Sequence, residues 1–299
     1  MNEIAQGIHG ITSPLGERRF TQVVLAGSDR VVLVDTGVAA TPREVIAPAL
    51  REAGIADPQL IVISHADLDH SGGNRAAVEL WPDAHLATHE LDRDWIASND
   101  AMLAGNYLWY RDVGFEVTEE DRAGMAEQLG GDAPVHGHVS DGDVLALGDG
   151  WEVEVLHLPG HTPGHVGIWD PRSRTAIVMD AVLGRGIRDN DGNLVIPPRV
   201  YDTAAYRATI ERLRALSPDQ LVTGHFGVLR GDAITRFLDD SLAHDEDLER
   251  LVRDAAVSGE RDVKAIVERA DAQLGPFADA PHELAAAVRD HLRRAGADV

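Results

Sequence analysis

The chain contains no cysteine among its 299 residues. Disulfides, thiolate metal ligands and a cysteine nucleophile are therefore excluded, and any metal site must be built from nitrogen and oxygen donors. Aromatic residues are also scarce, at 5% of the composition. Hydrophobic residues at 44% and charged residues at 26% are ordinary for a globular protein, and a chain of this length can bury a full core.

Long hydrophobic runs are missing as well. No stretch approaches the ~20 apolar residues that are needed to cross a bilayer. Residues 1–6 have neither the basic region nor the apolar region of a signal peptide. We therefore expect a cytoplasmic protein that has no membrane partner.

Positively charged residues are scarce. The chain has 27 Lys and Arg and 50 Asp and Glu, which gives a net charge of −23. Such a surface repels phosphate backbones, so we expect no nucleic-acid partner. The acidity is typical of a protein under selection for solubility or from a high-salt or GC-rich source. Steering of a cationic substrate is the alternative interpretation.

One short segment carries most of the chemical information. Residues 64–73 read Ser-His-Ala-Asp-Leu-Asp-His-Ser-Gly-Gly and directly follow the apolar run Leu60–Ile63. Four potential metal ligands thus fall within six residues at the end of a predicted strand. Burying imidazoles and carboxylates together without a cation is costly. The pattern therefore indicates a divalent metal, and these donors suit zinc or a first-row relative.

Three later segments repeat this arrangement. His161 follows the apolar strand Val153–Leu156, Asp180 ends the strand 176–180, and His225 ends the strand that begins at Leu221. Open α/β sheets build their sites at the carboxyl ends of strands. We therefore expect these side chains to meet in one site.

With these motifs the chain resembles the metallo-β-lactamase superfamily. The likeness runs from about Gly7 to His225 and includes Val31–Gly37 before the first helix. It implies an α+β fold, the four-layer αββα sandwich, for residues 1–230. Residues from about 90 to 140 are then a helical insertion, and residues 231–299 a helical C-terminal extension packed on the catalytic domain.

The resemblance also implies a binuclear site, with zinc as the first choice of metal and manganese or iron as alternatives. It places His65, Asp67 and His161 at the first ion and Asp69, His70 and His225 at the second, with Asp180 bridging them. Asp69, Asp180 and His165 are the predicted catalytic residues. For His165, a structural role is the alternative. Asp35 is predicted to orient the ligand segment 64–73, the metal loop, through hydrogen bonds.

Asp67 departs from the family pattern, in which a histidine usually stands at this position. Three carboxylates against two divalent ions leave one net positive charge, so the site should be a softer electrophile. An oxygen ligand also favours manganese or iron more than an all-histidine set does. The alternative is that Asp67 lies behind the ligands and that the site binds one ion.

Local patterns predict several further elements. Residues 19–27 and 30–35 form a hairpin, and Thr41 with Glu44 forms a capping box at the start of a helix that runs to about Ala53. A helix over Gly73–Leu80, a strand over His85–Thr88 and antiparallel strands at 143–147 and 151–157 follow. Helical spacing recurs at 232–253, 262–272 and 283–294.

Two regions are candidates for substrate contact. The insertion holds an aromatic cluster that can cap the site, form a satellite core or make a dimer contact. The Gly- and Pro-rich stretch 184–201 is long enough to reach back over the metals. The candidate substrate contacts from these two regions are Tyr107, Tyr110, Arg185 and Tyr201.

The sequence as a whole predicts a hydrolase. A water held between two cations loses a proton near neutral pH, and the resulting metal-bridging hydroxide attacks a small ester, lactone, thioester or related acyl substrate. A phosphodiesterase with the same site and an iron-dependent oxidoreductase of the same fold are the alternatives. The expected partner is a small molecule, and a homodimer is compatible with the sequence.

Overall fold

The computed structural model describes residues 1–297. Short strands dominate the first three quarters of the chain. They are β1 (Asn2–Ala5), β2 (Ile8–Leu15), β3 (Arg18–Ala26), β4 (Val31–Val34), β5 (Leu60–Val62), β6 (His85–Thr88), β7 (Gly137–His138), β8 (Val144–Gly148), β9 (Trp151–His157), β10 (Val166–Asp170), β11 (Thr175–Met179), β12 (Ile187–Arg188), β13 (Leu194–Ile196), β14 (Gln220–Thr223) and β15 (Val228–Arg230).

Helices fill the connections and the C-terminal region. They are α1 (Ala47–Ala53), α2 (Leu68–Ser71), α3 (Asn74–Leu80), α4 (Arg93–Ala97), α5 (Asn99–Met102), α6 (Glu119–Gln128), α7 (Thr203–Leu216), α8 (Asp232–Val257), α9 (Val263–Leu274) and α10 (Leu284–Arg294). Shorter segments are π-helical at Pro42–Ile46 and Leu103–Tyr107, and 3₁₀-helical at Glu90–Asp92, Leu108–Val113 and Pro281–Glu283.

Two mixed sheets form the centre of the molecule. The first runs in the order β1-β2-β3-β4-β5-β6-β7 and the second in the order β15-β14-β11-β10-β9-β8. The β4–β5, β5–β6, β6–β7 and β11–β14 pairs are parallel, whereas β9, β10 and β11 are antiparallel neighbours. A small hairpin of β12 and β13 stands apart.

Alternating side chains explain the layering. In β4, Val32 and Val34 join an apolar cluster that also contains Ile168 and Ile177 of the second sheet. In a strand, successive side chains point to opposite faces. The other residues of β4, such as Leu33, therefore pack on the outside, where they meet helical residues such as Leu50. The central strands, such as β4 and β11, are buried on both faces, and the result is an αββα sandwich.

The C-terminal helices share a core with the second sheet. One apolar cluster joins Val178 of β11 and Leu213 of α7 to Leu238 of α8, Ile266 of α9 and Val288 of α10. The tail therefore packs on the second sheet and α7 through a continuous apolar core. The boundary at residue 230 stays a prediction.

The insertion spans the edge between the two outer layers. Tyr107 packs in the cluster outside the first sheet, whereas Tyr110 is buried in the cluster outside the second sheet, with Trp109 and Phe115 against it. The aromatic residues thus divide between two existing cores and do not form a satellite core of their own.

Most local predictions agree with the structure. β3 and β4 pair as an antiparallel hairpin, and β6 has the predicted bounds. The capping box is wrong, because Thr41 is itself helical at φ −54° and its side chain makes no capping hydrogen bond to any described residue. A π-helical turn starts this helix, and left-handed Gly54 ends it as predicted.

Within residues 1–297 no helix combines the length and the apolar character that a membrane span requires. The longest helix, α8, has charged residues along much of its length.

A buried ionic cluster ties the tail to α7. Asp245 of α8 accepts hydrogen bonds from His291 of α10 at 3.0 Å and from Arg207 of α7 at 2.5 Å. Asp245 is only 3% exposed. A buried carboxylate of this kind is stabilising as long as its partners stay in place.

We expect Asp245→Asn to lower the free energy of unfolding by about 2 kcal/mol, since it removes the acceptor charge from a buried, charge-assisted network. Asp254→Asn, at an exposed position of the same helix, should change it by less than about 0.5 kcal/mol. Urea denaturation followed by circular dichroism measures both. Equal effects of the two variants would show that the network contributes nothing.

Candidate metal centre

Strand ends from both sheets converge on one edge of the sandwich. The loop after β5 carries His65 and Asp67, and the short helix α2 carries Asp69 and His70. The other three predicted ligands follow strands of the second sheet: His161 after β9, Asp180 after β11 and His225 after β14.

The ligand atoms form two compact groups. His65, His161 and Asp180 make one group and Asp69, His70 and His225 the other, and within each group the atoms lie within 4.8 Å of one another. Asp180 lies between them, because its Oδ2 is 3.1 Å from His225 Nε2 and 3.5 Å from His70 Nε2. The second group has the residues predicted for the second ion, whereas the first group contains His65 and His161 together with Asp180 and does not include Asp67.

Each of the four ligand histidines is anchored through its Nδ1 atom. His161 Nδ1 donates to the carbonyl of Arg199 at 2.7 Å and His225 Nδ1 to the carbonyl of Arg19 at 3.1 Å. His70 Nδ1 donates to Asp35 at 2.7 Å. These bonds turn the Nε2 atoms toward the centre and fix the tautomer that a metal ligand needs.

The ligand atoms that face the centre are arranged as a bound metal ion would require. His65 Nε2, His70 Nε2 and Asp180 Oδ1 are buried and have no hydrogen-bond partner within residues 1–297. Buried polar atoms are nearly always satisfied. Imidazole nitrogens and carboxylate oxygens left without partners around one small space are the donor set that a divalent cation takes.

Asp35 holds the metal loop, as the sequence predicts. It accepts hydrogen bonds from Ser64 N and Ser64 Oγ, both at 2.7 Å, as well as from His70. The Ser64 hydroxyl, which donates to Asp35, then accepts from His65 Nδ1 at 2.9 Å. Asp35 takes a left-handed conformation at φ 64°, which is uncommon outside glycine and typical of functional sites.

Electrostatics favours ionised carboxylates in the centre. Burial alone would raise the pKa of Asp180, but His225 and His70 hold it well below its usual range. Burial likewise opposes ionisation of Asp67, yet the Arg199 guanidinium and two histidines keep its pKa well below the usual range. Both groups are thus ready to bind a cation.

Asp67 makes contacts that the sequence did not indicate. Its Oδ1 atom accepts hydrogen bonds from Asn106 Nδ2 at 2.9 Å and from Tyr107 at 3.0 Å, and it contacts the Arg199 guanidinium. Its Oδ2 atom is 3.0 Å from His161 Nε2 and 3.3 Å from His65 Nε2. Asp67 therefore reaches the first ligand group with one oxygen while donors surround the other.

His165 lies behind the ligands. It is fully buried and stacks on His65 with a centroid distance of 4.6 Å. Burial and the neighbouring His65 hold its pKa well below its usual range, so the ring is neutral. This placement favours a packing role against His65, and the catalytic role of His165 stays a prediction.

A cavity of about 370 Å³ opens over the two ligand groups. The insertion lines it with Tyr107, Val117 and Met125, and the β12–β13 hairpin with Ile187 and Ile196. The segment before α10 completes the wall. Its contributing residues are Asp279, Ala280, His282 and Glu283.

Of the four predicted substrate contacts, only Tyr107 lines this cavity among the described residues. Tyr110 is fully buried against His282. Arg185 points to the surface, where it pairs with Asp240 and Asp247 of α8. Tyr201 directs its hydroxyl to Asn106 at 2.7 Å. Two of the remaining residues, Tyr110 and Tyr201, therefore support the cavity wall. Arg185 lies at the surface.

Asp92 is a supporting residue that sequence reasoning missed. It joins the metal loop to the His161 loop, because it accepts hydrogen bonds from Ala66 N, Thr162 Oγ1 and Gly164 N. Burial raises the pKa of its carboxyl to about 6, against the opposite effect of these hydrogen bonds. Nothing near Asp92 in the sequence resembles a site motif.

Comparisons with known proteins agree with this geometry. A family model described as the metallo-beta-lactamase superfamily matches residues 17–225. A probable metallo-hydrolase from Bacillus subtilis (strain 168) is 24% identical over 238 residues, which cover 75% of this chain and 85% of that protein. A hydroxyacylglutathione hydrolase from Haemophilus influenzae is 43% identical over 85 residues, but these cover only 28% of this chain and 38% of that enzyme.

The fold also matches solved structures. A metallo-beta-lactamase family protein from Thermus thermophilus superposes with a TM-score of 0.74 at 21% sequence identity, over 99% of this chain and 96% of its own. The superposition therefore includes the helical insertion and the helical tail.

Gly224 leaves room for the centre, since a Cβ atom there would lie 2.1 Å from Asp180 Oδ1 and 3.0 Å from His70 Cε1. We expect Gly224→Ala to fold but to lose at least one bound metal ion, measured by elemental analysis of the purified protein. Gly137→Ala, where no described atom lies within 4 Å of the added carbon, should keep the wild-type metal content. Full metal content in Gly224→Ala would contradict the arrangement.

The raised pKa of Asp92, about 6 against an ordinary 3.8, gives a pH test. Between these values the folded protein binds a proton that the unfolded chain lacks, so this residue adds stability as the pH falls. From pH 7 to pH 5 the gain is about 1 kcal/mol. We expect Asp92→Asn to lack this gain in urea unfolding with a chelator present.

Asp94→Asn, at an exposed position two residues away, is the matched control and should keep the wild-type pH dependence. If Asp92→Asn also kept it, then Asp92 would be ionised normally in the folded protein.

Proposed function

The chain belongs to the metallo-β-lactamase superfamily, and from that premise we propose that it is a hydrolase that holds two divalent ions and cleaves a small ester, lactone or thioester. The observation that carries the proposal is the set of buried, unpartnered ligand atoms that face one another beneath the cavity. A structural metal site would be closed, whereas this one opens to space for a substrate.

Zinc is the proposed metal. Mixed imidazole and carboxylate donors suit zinc, and the carboxylate share of this set also accepts manganese or iron. When bound, two divalent ions would lower the pKa of a water held between them and would neutralise charge that develops on the substrate oxygen.

Side chains of this protein position the ligand groups and supply a proton acceptor. Asp69 borders the cavity, with its side chain 16% exposed and its Oδ2 atom 3.3 Å from His225 Nε2. From there its carboxylate can take the proton that a nucleophilic water loses. Asp180, between the two ligand groups, sets their separation.

The cavity supports a small and partly apolar substrate. Its wall includes Leu15, Leu68, Leu183 and other aliphatic side chains, and its volume of about 370 Å³ is in the range of small-molecule sites. The net charge of −23 argues against a polynucleotide. The partial likeness to a hydroxyacylglutathione hydrolase supports including thioesters in the substrate class.

The first test combines metal content with a substrate panel. We expect two equivalents of divalent metal per chain by elemental analysis and hydrolysis of p-nitrophenyl acetate, a lactone or an acyl thioester. His161→Ala should lower kcat/KM by at least about a thousandfold, because it removes a ligand. His85→Ala, at an exposed histidine outside both ligand groups, should leave it unchanged.

Other results would replace the proposal. Faster cleavage of bis(p-nitrophenyl) phosphate than of every acyl substrate would favour a phosphodiesterase. Iron in the purified protein together with oxygen consumption in the presence of a thiol would favour an oxidoreductase.

A further inference from the structure

Arg199 is a buried cation beside the first ligand group. It is only 2% exposed. Its guanidinium contacts Asp67 Oδ1, lies 5.0 Å from the centroid of the Tyr107 ring and is 3.4 Å from Glu283 Oε1. A guanidinium this deep is costly to bury unless it is paired, and here two carboxylates pair with it.

The two oxygens of Asp67 are in different surroundings. Oδ1 takes three donors, from Arg199, Asn106 and Tyr107. Oδ2 faces the Nε2 atoms of His65 and His161. A carboxylate oxygen that already accepts three hydrogen bonds has no remaining capacity for a cation. Asp67 can therefore offer a metal only one oxygen, and Arg199 helps to decide which one.

The same contact changes the charge of the centre. Three carboxylates against two divalent ions leave one net positive charge. Arg199 contacts Asp67 through one terminal nitrogen and offsets that residue's negative charge. Glu283 contacts the other terminal nitrogen and partly neutralises the guanidinium charge. At these distances in a buried site, one unit charge changes cation affinity by roughly tenfold or more.

We propose that Arg199 is a positioning residue that presents Asp67 as a one-oxygen, charge-compensated ligand, and that Glu283 sets how much of the Arg199 charge reaches the centre. The proposal rests on the binuclear site proposed above. It links the C-terminal extension to the metal centre, because Glu283 lies just before α10. Arg199 thereby lowers metal affinity in exchange for a more electrophilic centre.

The charge and the geometry of Arg199 can be separated. Arg199→Gln keeps a donor for Asp67 and removes the charge, while Asn106 and Tyr107 still hold Oδ1. A purely structural role predicts that this variant binds metal more weakly. Charge compensation predicts the opposite, since the centre becomes more negative. The same change makes a bound water less acidic, so the acid limb of the kcat/KM profile should move to higher pH.

The experiment is a competition titration of the chelator-stripped full chain with Zn²⁺, alongside pH profiles of kcat/KM. We expect Arg199→Gln to bind its weaker Zn²⁺ at least about tenfold more tightly than wild type and to shift the acid limb upward. Arg18→Gln removes a cation from the same cavity wall and should change the affinity by less than about threefold.

Glu283→Gln tests the proposal with the opposite sign. It removes the Glu283 charge that partly neutralises Arg199. Zn²⁺ affinity should therefore fall, and the acid limb of the kcat/KM profile should move to lower pH. This variant also decides the question if Arg199→Gln does not fold. Unchanged or weaker Zn²⁺ binding by Arg199→Gln, or tighter binding by Glu283→Gln, overturns the proposal. Wild-type protein that binds fewer than two Zn²⁺ would instead refute the binuclear function itself.

Discussion

The burial of several carboxylates and imidazoles in one small space is the constraint on which the rest of the site depends. Four imidazoles and three carboxylates meet where strands of both sheets end. Taking such groups out of water is costly, and a divalent cation is the simplest compensation. The unpartnered atoms His65 Nε2, His70 Nε2 and Asp180 Oδ1 show where that compensation is needed.

Support for the ligands comes from outside the ligand motif. Asp35 holds the metal loop from β4, and backbone carbonyls hold His161 and His225. Asp92 joins the metal loop to the loop of His161, which follows the other sheet. These bonds are local in space but come from distant parts of the chain. These bonds connect the ligand residues to the two sheets and hold the ligand atoms in fixed positions. A preorganised metal site requires this.

The insertion and the C-terminal extension form much of the wall of the cavity at this sheet edge. Tyr107 from the insertion and Glu283 from the tail reach Asp67 and Arg199 respectively. Aromatic side chains of the insertion are buried in cores on both sides of the sandwich, so this cover is anchored. In the proposed function, substrate choice lies with these segments, because they line the cavity, whereas the chemistry belongs to the shared centre.

The sequence by itself determined the strand ends and the ligand motif, because both are local: alternating or continuous apolar runs mark strands, and the ligand types follow them directly. It also located most helices, although the predicted capping box at Thr41 was wrong, because Thr41 is itself helical and a π-helical turn follows it. Only the tertiary structure decided what surrounds Asp67. Arg199 is 132 residues away from it in the chain, and Asn106, Asp92 and Glu283 carry no local motif. Long-range contacts of this kind are set by how the layers pack, and no spacing along the sequence encodes them.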